Sequence, residues 1–224
     1  MYDLIITNKN YSSWSLRAWV LMRELAIPFR EQLVPLPEHM RGFQPGSPSG
    51  KVPCLVDDDL VVWDSLAIAE HLAERHTGVW PGDVRARAWA RCAAAEMHSG
   101  FAVLRERCSM NCGLRVKLHE ISPALARDLA RLDQLWSEGL AKLGGPFLAG
   151  AAFTAVDAFF APVAFRVQTY GLVLSEPSAA YAKRLLALPA MQDWYKAGIA
   201  EPWREPDHEA EVTRGAVVLE DLRA

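Results

Sequence analysis

A small α/β domain followed by an all-α helical domain is the architecture this chain predicts, and three observations lead there. Short apolar runs and one strongly apolar helical pattern alternate from Tyr2 to Leu72; a turn-rich break spans His76 to Asp83; beyond it alanine and leucine dominate at helical spacing. The 224 residues, 51% of them hydrophobic, suffice for two moderate cores, since domains usually run to about 100–150 residues. No internal repeat or low-complexity tract interrupts the chain.

The elements follow in order. Tyr2 to Thr7 reads as a buried strand. From Ser15 to Ile27 the apolar positions Leu16, Trp19, Val20, Leu21, Met22, Leu25 and Ile27 occupy most of a helix's girth, as in a helix wedged between a sheet and a second domain. Pro28 closes that helix, and Phe29 to Val34 alternates as a second strand. Pro35 to Lys51, with four prolines and three glycines, is an irregular connection. Val52 to Val56 and Leu60 to Trp63, split by Asp57, Asp58 and Asp59, read as a hairpin, and Asp64-Ser65 then opens a helix. Strand, helix, strand, crossover, hairpin, helix is a thioredoxin-like order. The expected division is 1–77 for this domain, 78–85 for a linker and 86–224 for the helical domain.

Charge excludes some functions. The 24 basic and 27 acidic residues nearly cancel and are scattered, so no large positive field exists to hold nucleic acid or an anionic membrane. The first ten residues lack the apolar core of a signal peptide, and no run is long enough to span a bilayer; a cytoplasmic protein is expected. The four cysteines, Cys54, Cys92, Cys108 and Cys112, are expected as free thiols. Cys108 and Cys112 lack a nearby pair of histidines, so no metal is expected.

Three places carry chemistry. Ser12, Ser13 and Ser15 cluster at the start of the first helix, where unpaired amides favour an anion. Taken alone, such a cluster fits ordinary N-capping. Val52-Pro53 precedes a strand, where a cis bond would turn the Val52 backbone toward an extended peptide, although a loop proline is more often trans. Asp64-Ser65 offers a carboxylate for an amine, and a hydroxyl with helix-start amides for a carboxylate; by itself it too is a cap.

In one α/β domain and in this order, the three features resemble the glutathione transferase superfamily. There they meet the sulfur, the cysteinyl backbone and the γ-glutamyl end of glutathione respectively. Ser12, Ser13, Ser15 and Arg17 match the Ser-Ser-x-Ser-x-Arg pattern of the zeta class, the maleylacetoacetate isomerases; Trp14 departs from it, standing where that class has cysteine. Gly145 to Gly150, followed by Phe153 to Asp157, resembles the family's N-capping box, in which Thr154 and Asp157 cap a helix reciprocally, and Leu188-Pro189 leading to Trp194 resembles its last core helix.

The resemblance implies a glutathione transferase fold and catalysis by thiolate attack on a small electrophile, by conjugation or isomerisation, with glutathione as co-substrate. Ser12 is the implied thiolate donor and Ser13 the runner-up. Trp14, Ser15, Arg17, His39, Lys51, Val52, Pro53, Asp64 and Ser65 are the implied glutathione contacts. Arg17 would either screen an acidic substrate or cap the helix surface, and His39 and Lys51 are the candidate cations for the glycine carboxylate. His98, Phe101, Arg105, Arg166 and Tyr170 are expected at the second substrate, with Met97, Met110 and Asn111 as further candidates. Ala102 stands where that class supplies a polar glutamine. A homodimer is implied by the resemblance alone. The alternative is a non-catalytic binding module for hydrophobic ligands or protein partners.

Overall fold

A computed structural model describes residues 1–35 and 47–223 of the chain. The N-terminal domain holds β1 (Tyr2–Ile6), α1 (Ser13–Glu24), β2 (Phe29–Leu33), β3 (Cys54–Asp57), β4 (Leu60–Trp63) and α2 (Ser65–Ala73). The sheet order is β2-β1-β3-β4, with β1 parallel to β2 and antiparallel to β3. This mixed sheet is the thioredoxin-like arrangement. The β3–β4 hairpin turns at Asp58, which takes a positive φ of 56°, a conformation aspartate tolerates better than most residues.

α1 shows why its sequence is apolar nearly all round. Every residue from Ser15 to Met22 is buried, because the helix packs against α2 on one side and against helices of the second domain on the other. Burying side chains such as Leu16, Leu21 and Met22 contributes roughly 1.5–3 kcal/mol apiece, so this element joins the two domains into one packed body.

The C-terminal domain comprises α3 (Val84–Ser99), α4 (Ala102–Arg107), β5 (Leu114–Leu118), α5 (Pro123–Leu143), α6 (Ala155–Tyr170), α7 (Glu176–Leu186), α8 (Pro189–Ala200), α9 (Pro206–Thr213) and β6 (Ala216–Asp221). Its axis is α6, buried from Ala155 to Arg166. The capping box opens this helix: Asp157 accepts from the Thr154 amide at 2.9 Å, from the Leu148 amide at 3.0 Å and from the Tyr181 hydroxyl at 2.8 Å. A buried carboxylate with those donors ties the preceding loop and α7 to the same helix start.

Helix does not persist to the end as the spacing predicts. β5 and β6 form a two-stranded antiparallel ribbon. Its segments, Leu-Arg-Val-Lys-Leu and Ala-Val-Val-Leu-Glu-Asp, are too short for a helical period to be resolved. The ribbon packs on α6 and carries the tail of the chain back toward the N-terminal domain.

Candidate active site

Ser12 is the N-cap of α1. Its Oγ accepts from the Ser15 amide at 3.3 Å and donates to Ser15 Oγ at 2.8 Å. The bland reading is therefore correct as far as it goes, since Ser12 does cap. It also faces a cleft of about 690 Å³ lined by Ser13, Trp14, Lys51, Val52, Arg105 and Arg166, with Thr7, Tyr11, Ala102, Glu106, Ser109, Met110 and His208 completing the wall. The Ser13 and Ser15 amides are already committed, to the Tyr11 carbonyl and Ser12 Oγ, so it is the positive end of the α1 dipole that acts beside the hydroxyl.

A second cavity of about 540 Å³ shares Trp14, Lys51, Val52 and Arg105 with the first and adds Ser49, Pro53, Trp63, Asp64 and Ser65. The Val52–Pro53 bond is cis. Asp64 caps α2 through its Oδ1, which accepts from the Leu66 amide at 2.8 Å, and its Oδ2 lies 3.5 Å from His98 Nε2. Ser65 Oγ is buried and has no hydrogen-bond partner among the described residues. A hydroxyl left so at the N-terminus of α2 fits the carboxylate of a bound ligand.

Trp14 sits at the junction of the two cavities between two guanidinium groups. Arg17 Cζ is 4.2 Å and Arg105 Cζ 4.6 Å from the centre of its ring. Arg17 is 2% exposed, so it does not cap the helix surface; its Nε and Nη1 lack hydrogen-bond partners among the described residues and its charge rests on the rings of Trp14 and Phe159. Burial first, then repulsion from Arg105 and Arg166, pushes its pKa down to about 9, which leaves it positive at neutral pH. Arg166, buried and holding the Cys108 carbonyl at 2.8 Å, is pushed down to about 10 by burial. Burial likewise lowers the pKa of Arg105 and of His98, Asp64 partly opposing the shift in His98.

The expected residues thus divide. Ser12, Ser13, Trp14, Lys51, Val52, Pro53, Asp64, Ser65, Arg105, Arg166 and Met110 face the two cavities. Ser15 and Arg17 stand behind them. His98 supports Trp14, edge to face at 5.3 Å, and reaches Asp64. Phe101, Met97, Asn111 and Tyr170 lie buried outside the cavity walls; the Tyr170 hydroxyl donates to the Ser109 carbonyl. His39 lies outside the described residues. Sequence reasoning missed Thr7, Ser109, Glu106 and His208 as wall residues, and assigned Tyr11 no role. His208 is brought in by α9, its Nδ1 2.8 Å from Glu205 Oε2 and its ring 5.3 Å from that of Tyr11. Among the described residues no group of three or more His, Cys, Asp or Glu is arranged to hold a metal, and no helix is long and apolar enough to cross a membrane.

Two family models match the chain, the glutathione S-transferase N-terminal domain over residues 11–75 and the glutathione S-transferase C-terminal domain over residues 114–197. This protein belongs to the glutathione S-transferase superfamily. Solved structures with the same transferase fold include a glutathione transferase homolog from Burkholderia gl BGR1 with bound glutathione, 23% identical with a TM-score of 0.67, covering 88% of this chain and 97% of that one. Ure2p in complex with glutathione is 20% identical with a TM-score of 0.65, covering 87% and 93%. A tau class glutathione S-transferase from mango, Mangifera indica, is 20% identical with a TM-score of 0.64, covering 88% and 95%. A curated relative, dichloromethane dehalogenase of Methylorubrum extorquens, is 36% identical over 61 residues, 25% of this chain. That match spans 21% of the dehalogenase, about a fifth of its length.

Proposed function

We propose that this protein is a glutathione transferase in which Ser12 stabilises the thiolate of glutathione for attack on a small anionic electrophile. One observation carries the reading: Ser12, the Val52–Pro53 pair and the Asp64–Ser65 helix start face two cavities that share Trp14, Lys51, Val52 and Arg105 as walls. Glutathione supplies the nucleophilic sulfur. Val52 meets its cysteinyl backbone, Asp64 its amine, and Ser65 with the amides of α2 its γ-glutamyl carboxylate; Lys51 is the described cation for the glycine end.

The energetics suffice without a general base. Lowering a thiol from its usual value near 8.5 by about two units requires ~2.7 kcal/mol. A hydroxyl donating to the charged sulfur contributes ~1.5–3 kcal/mol and a helix start ~0.3–2. The released proton goes to water in the open cleft.

Arg105, Arg166 and Lys51 face the larger cavity against the single carboxylate of Glu106. An electrophile carrying a carboxylate is favoured there, in keeping with a zeta-like isomerisation of a maleylacetoacetate-like diketo acid or with conjugation of a halogenated acid. We place the activity in the cytoplasm and in a homodimer, with the domains divided at 1–77 and 86–224. The test is retention on glutathione resin, followed by turnover of maleylacetoacetate analogues, halogenated acids and neutral chloronitrobenzenes. Acidic substrates should be preferred, and Arg105→Met should abolish that preference; failure to bind glutathione or a preference for neutral substrates contradicts the reading.

A further inference from the structure

The structure assigns Ser15 a positioning role: we propose that its buried hydroxyl relays a hydrogen bond from the Thr7 amide to Ser12 Oγ and so strengthens Ser12 as a donor to the thiolate. This rests on the reading of Ser12 above.

Ser15 occupies the third position of α1, where a capping residue ordinarily reaches back to the amide of the N-cap. That task is already taken, since the Ser12 amide donates to the Asn8 carbonyl at 2.9 Å. Ser15 Oγ instead accepts from the Thr7 amide at 3.3 Å and from Ser12 Oγ at 2.8 Å. The residue is fully buried, so water cannot replace either partner.

In this arrangement the hydroxyl hydrogen of Ser12 is committed to Ser15. To donate to a sulfur, Ser12 must withdraw it. The Ser15 hydroxyl hydrogen can then turn to Ser12 Oγ, while the Thr7 amide continues to donate to Ser15. Two rotors turn and no proton passes between residues; the thiol proton leaves to water. The result is an unbroken run from Thr7 N–H through Ser15 and Ser12 to the sulfur, each bond oriented the same way. Such a run polarises along its length and strengthens its last member. The Ser15 amide keeps Ser12 Oγ in place throughout, at 3.3 Å.

The experiment titrates the ultraviolet thiolate absorbance of glutathione bound to the full-length protein and to variants. Ser15→Ala should raise the bound thiol's pKa by about half a pH unit, a roughly threefold loss of thiolate below it. Ser15→Thr, which keeps the hydroxyl, should return it toward the parent value, and Ser12→Ala should raise it further than either. A Ser15→Ala protein that melts earlier but keeps the parent thiol pKa reduces Ser15 to a structural residue and overturns the relay. Should Ser15→Ala fail to fold, Ser15→Cys, nearly the same shape with a weaker donor, should move the pKa in the same direction; an unmoved value again overturns it. Absence of a thiolate band in the parent defeats the Ser12 reading itself, whereas a band sensitive to Ser12→Ala but not to Ser15 variants defeats the relay alone.

Discussion

Arg17 and His98 show what charge at this site costs and allows. A buried guanidinium with two nitrogens unpartnered among the described residues, supported by two aromatic rings, is a stability liability, because desolvation outweighs what the rings return. Arg17→Met should therefore stabilise the protein by about 1–3 kcal/mol in denaturant titration; a destabilised variant contradicts this. His98 is held below the ordinary imidazole value, by burial first and then by Arg17 and Arg105. At neutral pH it is uncharged, which leaves Asp64 free for an amine. As pH falls below about 6.5 and through the lowered folded value, His98 gains charge and competes for Asp64 at 3.5 Å. Glutathione affinity measured by calorimetry should weaken over that acid range, and His98→Phe should remove this limb. The group's contribution to folding stability has the same sign: complete above the unfolded value, lost on acidification because the unfolded chain takes up the proton first. Neither role is legible in the sequence, since both depend on which rings and charges surround the residue.

Among the elements, the helix starts were the most readable parts of the chain. Ser12, Asp64 and Thr154 all proved to be N-caps, because capping is local chemistry that needs only the residue and the helix behind it. Asp64 shows the limit of that legibility. It caps α2 with φ 76° and ψ 135°, a conformation sequence spacing does not announce and one that costs about 1–3 kcal/mol for a residue with a side chain. Asp64→Ala should lose the cap and keep the strain, while Asp64→Gly loses little as a cap and relieves it. Melting temperatures should then rank the glycine variant above the alanine variant, with glutathione binding weakened roughly tenfold in both. The reverse order of stability contradicts the strain. The ribbon was hidden for the opposite reason: β5 and β6 are far apart in the chain, and neither carries local turn chemistry that links it to the other.

Viewed across its domains, the protein builds one wall of its cleft from the C-terminal segment that carries His208. The Arg223 side chain, 3% exposed, donates to the Tyr11 hydroxyl at 2.7 Å and to the carbonyls of Glu201 and Trp203, and Tyr11 in turn donates to Glu209 at 2.5 Å. These bonds hold α9, and with it His208, against the cleft. The division into an α/β domain and a helical one was readable from periodicity, whereas a contact between Tyr11 and Arg223 leaves no local trace in sequence. Arg223→Ala should cost about 2 kcal/mol and speed amide exchange in α9, yet leave the thiol pKa of bound glutathione unchanged. A shifted thiol pKa would mean that the tail acts on the sulfur directly.

The most direct measurement is the thiol pKa of glutathione bound to the parent protein beside that of Ser12→Ala and Ser13→Ala. Ser12 as thiolate donor predicts a parent value well below that of free glutathione, a rise of at least about one unit in Ser12→Ala, and little change in Ser13→Ala. Equal values in the parent and Ser12→Ala, or a larger rise in Ser13→Ala, would contradict it.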